Sequence, residues 1–297
     1  MGAHAVRALI ALAAALPLAA LAHTTTAAAG AAPWSWNFAP WLLALLALSA
    51  VAYGIGLRRL WRHAGGARGV GAQEAGCFAL GWITLAAALV SPIDAFGGQL
   101  FSVHMVQHEL LMVLAAPLLV LGRPLAAWTW ALAPAQRRAA GRLFATRGWS
   151  GAWSALTDPL AAFALHAIAL WAWHLPSAFD AALAHEGWHI AQHASFLGTA
   201  LFFWWSVLGH DPRGRYGAGH SAASLFATMM HTGALGALLS LAPQPWYAPY
   251  VATTLALGLD PAQDQQLGGL VMWVPAGLVY VAAALWVLGR LLTRERA

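Results

Sequence analysis

The sequence predicts an all-α polytopic membrane protein: a bundle of about seven transmembrane helices after an N-terminal signal peptide or anchor. Three observations predict it. Hydrophobic residues make up 61% of the 297-residue chain and charged residues 8%, with a mean hydropathy of +0.65. A soluble fold of this length needs far more charge to cover its surface. Apolar runs long enough to cross the hydrocarbon core, about 20 residues each, recur along the chain. Arginine, the only strongly basic residue because lysine is absent, falls on one set of connecting loops.

The N-terminus comes first. Arg7 precedes an apolar run, Ala8 to Ala22, with the length of a signal-peptide core, and Ala20-Leu21-Ala22 fits the small-x-small cleavage pattern. The alternative for residues 1–22 is an uncleaved anchor helix, slightly short for a bilayer. Cleavage after Ala22 would leave His23 as the first residue, whose amine and imidazole can chelate one copper ion together. A polar tail that happens to begin with His is the plainer reading. Residues 23–37 then form an outer segment and 38–297 the transmembrane domain.

Within that domain the expected spans are Phe38–Leu57, Ala75–Ile93, Gln99–Leu121, Pro159–Leu175, Gly187–Leu208, Ser221–Ala242 and Gln266–Gly289. Arg58, Arg59, Arg62 and Arg68 follow the first span, and Arg123, Arg137, Arg138, Arg142 and Arg147 the third. Arg213 and Arg215 follow the fifth, and Arg290, Arg294 and Arg296 the seventh. The other loops carry none, so the positive-inside rule puts the arginine side in the cytoplasm of a bacterial plasma-membrane protein, with the mature N-terminus outside and the C-terminus inside. Tryptophans gather toward both ends of the spans, as interfacial belts do. Gln136 to Phe144 mixes arginine with apolar residues and reads as an amphipathic helix on the inner leaflet. The net charge of +5 therefore reports topology, and no basic patch with interleaved aromatics points to nucleic acid.

That orientation gives depth to the polar residues. His185, His189 and His193 are spaced by four residues, a step that turns about 40° past a full revolution of a helix and so keeps one face. His104 and His108 repeat the spacing in the third span. With His174 at the outer end of the fourth span, six histidines share the outer half of the membrane. Imidazoles there are costly unless they face protein, water or a metal. His104 with His108 can share one ion, as can the stripe of the fifth span. Glu109 and Asp264 are candidate ligands or partners that orient an imidazole. Met230 and His231 are candidate deeper ligands, although methionine there also reads as core filler. His166 reads as a packing residue outside the site, and Asp180 and Glu186 as solvated loop charges.

Imidazole and thioether without thiolate suit copper, while imidazole with carboxylate leaves zinc and iron open. The single cysteine, Cys77, rules out an internal disulfide and any paired-thiolate site. The chain carries neither an ATP-binding loop nor a phosphorylatable Asp motif, which argues against an energised copper pump.

Several stretches carry a family resemblance. They are His104-Met105-Val106-Gln107-His108-Glu109; Pro117 with Gly122-Arg123-Pro124; Trp173-His174-Leu175-Pro176; His185, His189 and His193 with Phe196 and Gly198; Met230-His231; and Asp264-Gln265-Gln266-Leu267-Gly268-Gly269 running into Met272-Trp273-Val274-Pro275. In this order, over roughly residues 75 to 290, they resemble the caa3-type cytochrome c oxidase assembly factor (CtaG) family. This family is distinct from the Cys-containing, single-span copper chaperone that shares the CtaG name. The resemblance implies a plasma-membrane protein, not an enzyme, needed for active oxidase, with oxidase subunits as partners and a connection to copper. It assigns no residue roles. Two other classes fit the histidines themselves. One is a His-box di-metal oxygenase, whose boxes usually face the cytoplasm. The other is a haem-binding membrane cytochrome with axial histidine pairs.

Overall fold

The computed structural model describes residues 34–64, 69–209 and 217–294. The expected signal segment with His23 lies outside the described residues, as do Arg68, Arg213 and Arg215. Among the described residues every regular element is helical: α1 (Pro40–Ala64), α2 (Ala72–Val90), α3 (Pro92–Gly97), α4 (Phe101–Leu121), α5 (Pro124–Ala131), α6 (Pro134–Phe144), α7 (Arg147–Leu156), α8 (Pro159–Trp173), α9 (Pro176–Ala184), α10 (Glu186–Leu208), α11 (Ala218–Ser240), α12 (Ala248–Ala256) and α13 (Pro261–Arg294).

Proline and short polar side chains set these boundaries. Pro92, Pro124, Pro134, Pro159 and Pro176 stand in the first turn of their helices, where a missing N–H costs nothing. Asp158 accepts from Leu160 and Ala161 N–H, and Thr146 from Trp149 N–H, satisfying donors that a helix start leaves free.

Each expected span contains a helix, and five of these helices (α1, α2, α4, α11 and α13) are long and apolar enough to cross a membrane. The fourth span is shorter than expected: α8 has 15 residues, about 22 Å of helix. It reaches spanning length only together with α7, across a 63° bend. The fifth, α10, is 23 residues long, but Glu186, His189, Gln192 and His193 dilute the apolar character of its first turns. Leu48, Val51 and Ile55 on α1, Ile168 on α8 and Leu278 and Leu285 on α13 are exposed, the outward apolar face of a bundle in lipid.

Helix α4 is the axis of the bundle. Two thirds of its apolar window (67%) is buried, against 17–33% for the other long helices. Its middle, Leu110–Ala115, is a π-helical turn, which leaves backbone carbonyls in need of other donors. In that register Met112 C=O would pair with residue 117, a proline without an N–H. The Trp204 indole of α10 donates to it instead, at 2.8 Å. The end of α2 repeats the logic. Ala88 C=O would pair with residue 92, again a proline, and Gln107 Nε2 of α4 fills the gap at 2.8 Å.

Small residues bring the remaining helices close. A methyl group on Gly236 of α11 would stand 2.7 Å from Gly269 C=O of α13, so that pair packs backbone on backbone. Gly122 has Phe78 of α2 where its Cβ would be, 2.7 Å away, and its carbonyl accepts from the buried Tyr53 hydroxyl at 2.9 Å.

Contacts between loops sort the ends of the bundle into two groups. At one end Asn37 meets Asp94, Thr253 donates to Gln99 C=O, and Tyr247 donates to His174 C=O. At the other, Arg59 donates to Ala131 C=O at 2.6 Å, and Arg137 lies 3.8 Å over the Trp130 ring. The arginine-bearing segments after the first and third expected spans are thus neighbours in space.

Candidate metal centre

Four elements converge at the arginine-free end. α4 supplies His104 and His108. His174 caps the C-terminus of α8, α10 supplies His189 and His193, and α12 supplies Tyr250. The start of α4 is pinned from α13: the Asp264 carboxylate accepts from Phe101 N–H at 2.7 Å and Ser102 N–H at 3.2 Å, and also from the Ser102 hydroxyl. Gln265 beside it accepts from Trp246 N–H at 2.6 Å and donates to Leu239 C=O at 3.2 Å. Gly268 lets the Phe101 ring lie against its backbone. The Asp264–Gly269 stretch is therefore a brace that sets where His104 stands.

The imidazoles pack ring against ring. Centroids of His104 and His108 are 4.3 Å apart, and those of His189 and His193 4.1 Å. Across the helices His104 lies 5.5 Å from His189 and 5.7 Å from His193. His108 lies 5.2 Å from His193 and 6.1 Å from His174. Phe179 and Phe196 pack against the cluster, 5.1 Å from His104 and 4.7 Å from His108. His104, His108 and His174 are at most 2% exposed.

Hydrogen bonding assigns the lone pairs. The Tyr250 hydroxyl donates to Gly97 C=O at 2.6 Å, and His104 Nδ1 is 3.2 Å from that carbonyl and 3.0 Å from the Tyr250 oxygen. With the tyrosine proton used, Nδ1 carries the ring proton and Nε2 the lone pair. His174 behaves alike, Nδ1 donating to Leu170 C=O at 2.7 Å. The Nε2 atoms of His104, His108, His174, His189 and His193 are all enclosed and without a hydrogen-bond partner. Buried polar atoms are normally satisfied, and an Nδ1–H bonded to a carbonyl with Nε2 free is the usual state of a metal-binding histidine.

One nitrogen each from His104, His189 and His193 falls within a 4.8 Å limit of the others. Ligands about 2 Å from an ion stand roughly 3.3–4 Å apart. Ring rotations that draw the nitrogens in by about 1 Å complete the geometry. The residues therefore fit an ion held by three imidazoles, with His108 and His174 as the adjoining pair.

Other sequence candidates lie elsewhere. His185 has an extended backbone (φ −136°, ψ 120°) at the cap of α10, so it does not continue the helical stripe. It is exposed in a surface recess beside Trp188. Met230 is 54% exposed on the outer face of α11. His231 packs against Phe163 of α8. Glu109, one position past His108 and so about 100° round the helix, lies within electrostatic reach of Tyr280 of α13. The Asp264 oxygens are occupied by the α4 cap. Asp180, read as a solvated charge, has one carboxylate oxygen enclosed, and burial pushes its carboxyl up.

Three residues of the site escaped the sequence reading. Asp94 accepts from Asn37 at 3.0 Å and Gln107 at 2.8 Å and lies within electrostatic reach of His189. Gln192, fully buried between the two α10 histidines, faces His104. Tyr250 fixes His104 from 146 residues away. Asp94, just past Ser91-Pro92, was detectable as the only carboxylate among residues 75–108; nothing local marks the other two.

The chain is 29% identical over 269 residues to the uncharacterized proteins Mb0105 of Mycobacterium bovis and MT0111 of Mycobacterium tuberculosis. It is 28% identical over 265 residues to ML1998 of Mycobacterium leprae. These alignments cover 83% of this chain and 38% of each relative, so the chain spans well under half the length of the curated relatives it matches. No solved structure matches. Residues 51–294 match the family described as cytochrome c oxidase caa3 assembly factor, and the chain belongs to that family.

Proposed function

We propose that the chain serves cytochrome c oxidase assembly by holding copper at His104, His189 and His193, with His108 and His174 alongside. The enclosed, unpartnered Nε2 atoms are the observation that carries this reading. Copper is favoured over zinc because the donors are neutral imidazoles without thiolate, and the Irving–Williams order places copper highest for nitrogen ligands. The bound ion supplies a transferable metal. The protein's own part is to fix the lone pairs, through Gly97, Tyr250 and Leu170, and to exclude lipid with Phe179 and Phe196. The purified full chain should contain copper, and His104→Ala should lower the content by one equivalent. Zinc or iron lost with His104 would keep the site and overturn the metal; an unchanged content would overturn the site.

The proposed setting is the bacterial plasma membrane, with the histidines near the outer surface, where oxidase subunits take up copper. The one-sided arginines support this orientation. Reporter fusions at Gly97, Trp149, Ala182, Arg215 and Pro249 should report outside, inside, outside, inside and outside. Trp149 and Gly97 on the same side would overturn it.

A further inference from the structure

A second histidine pair lies below this centre and belongs to none of its contacts. His166 on α8 is 1% exposed, and its Nδ1 is 3.1 Å from Thr199 Oγ1 on α10. The Thr199 hydroxyl spends its single proton on Ser195 C=O, at 2.7 Å, so its oxygen is left to accept. His166 Nδ1 therefore carries the ring proton, and Nε2 holds a lone pair that is enclosed and unpartnered. Both ring nitrogens of His231 on α11 are also enclosed and unpartnered.

The two rings share one neighbourhood. His231 meets Phe163 edge-on at 5.5 Å, and Phe163, three residues before His166, lies on the same face of α8. The imidazoles are within electrostatic range of each other. His166 stacks at 5.6 Å on Phe203, which touches Tyr280. His166 precedes His174 by eight positions on α8, about 12 Å farther from the arginine-free end.

An unsatisfied nitrogen in an apolar interior is costly, and here the lone pair of His166 is held in place by a specific hydrogen bond. We infer that His166 and His231 form a second, deeper metal site that takes a monovalent soft cation, Cu(I), between two neutral imidazoles. Cu(I) accepts two-coordination by imidazole, whereas zinc in protein sites is almost always four-coordinate. A single positive charge also carries the smallest desolvation cost in a dry interior. The ion's identity rests on the copper reading above; the pair's geometry does not.

The test is anaerobic Cu(I) titration of the detergent-purified full chain against a chromogenic chelator. We expect two equivalents in the wild type and one in each of H104A/H193A and H166A/H231F. X-ray absorption of copper-loaded H104A/H193A, in which the deeper pair is intact, should show nitrogen neighbours and no sulfur. This measurement decides the matter even if H166A/H231F fails to fold. If H104A/H193A holds no copper while the wild type holds one equivalent, the deeper site falls and the outer one stands. If H104A/H193A keeps a sole equivalent that H166A/H231F loses, the outer site falls and the deeper one stands. A wild type that binds none overturns both.

Discussion

Replacing His189 with Ala is expected to abolish support for the oxidase while the protein remains inserted at its normal level. Ala keeps helix propensity, and the lost ring faces the imidazole cluster rather than lipid. One of three convergent nitrogens disappears, however. Loss of even an orienting partner of a ligand costs about 10–100-fold in metal affinity, so loss of the ligand should exceed that. In a deletion strain the variant's oxidase spectrum should match that of the empty vector. His63→Ala, at the opposite end against Trp130, should restore oxidase fully. Wild-type oxidase activity from the His189 variant would remove the metal centre from the account and leave scaffolding as the function.

Asp264→Ala is expected to give the largest loss of stability from one side chain. The carboxylate serves two buried backbone N–H groups and one hydroxyl, and its removal strands all of them. Hydrogen bonds to charged groups contribute about 1.5–3 kcal/mol each, and a stranded buried donor about 1–3 kcal/mol. Allowing for overlap, a net loss of about 3–5 kcal/mol is expected. Because the brace holds the start of α4, the His104 nitrogen should shift with it, so copper affinity falls together with thermal stability. Asp264→Asn, which keeps an acceptor oxygen, should recover part of both. A melting temperature for Asp264→Ala equal to that of the wild type, measured in detergent, would show that α4 does not depend on this cap.

The sequence reading and the structure diverge at instructive places. The four-residue spacing correctly put His104 with His108 on one helical face and His189 with His193 on another, because side-chain direction on a helix follows from position alone. It failed at His185, where the chain had not yet entered helical geometry. Asp264 reads as a candidate ligand or imidazole-orienting partner because it shares the outer half of the membrane with the histidines. Its actual use, closing the N-terminus of a helix 162 residues earlier, depends on the packing of α13 against α4.

Composition and the recurring apolar runs were sufficient for the class and for the order of the main helices, since these depend on the cost of putting polar groups in lipid. The histidine spacing marked which helices carry the polar face. Only the tertiary structure decided which imidazoles meet, which nitrogen of His104 and of His174 is free, and that Tyr250, Gln192 and Asp94 belong beside them. It also separated His231 from the outer cluster. The reason is physical: a periodic pattern fixes a side chain's direction about its own helix axis, whereas contacts between helices depend on rotation, depth and crossing. Here those are set by glycine contacts such as Gly236 with Gly269 and by donors such as Trp204 and Gln107 that serve carbonyls left open by prolines.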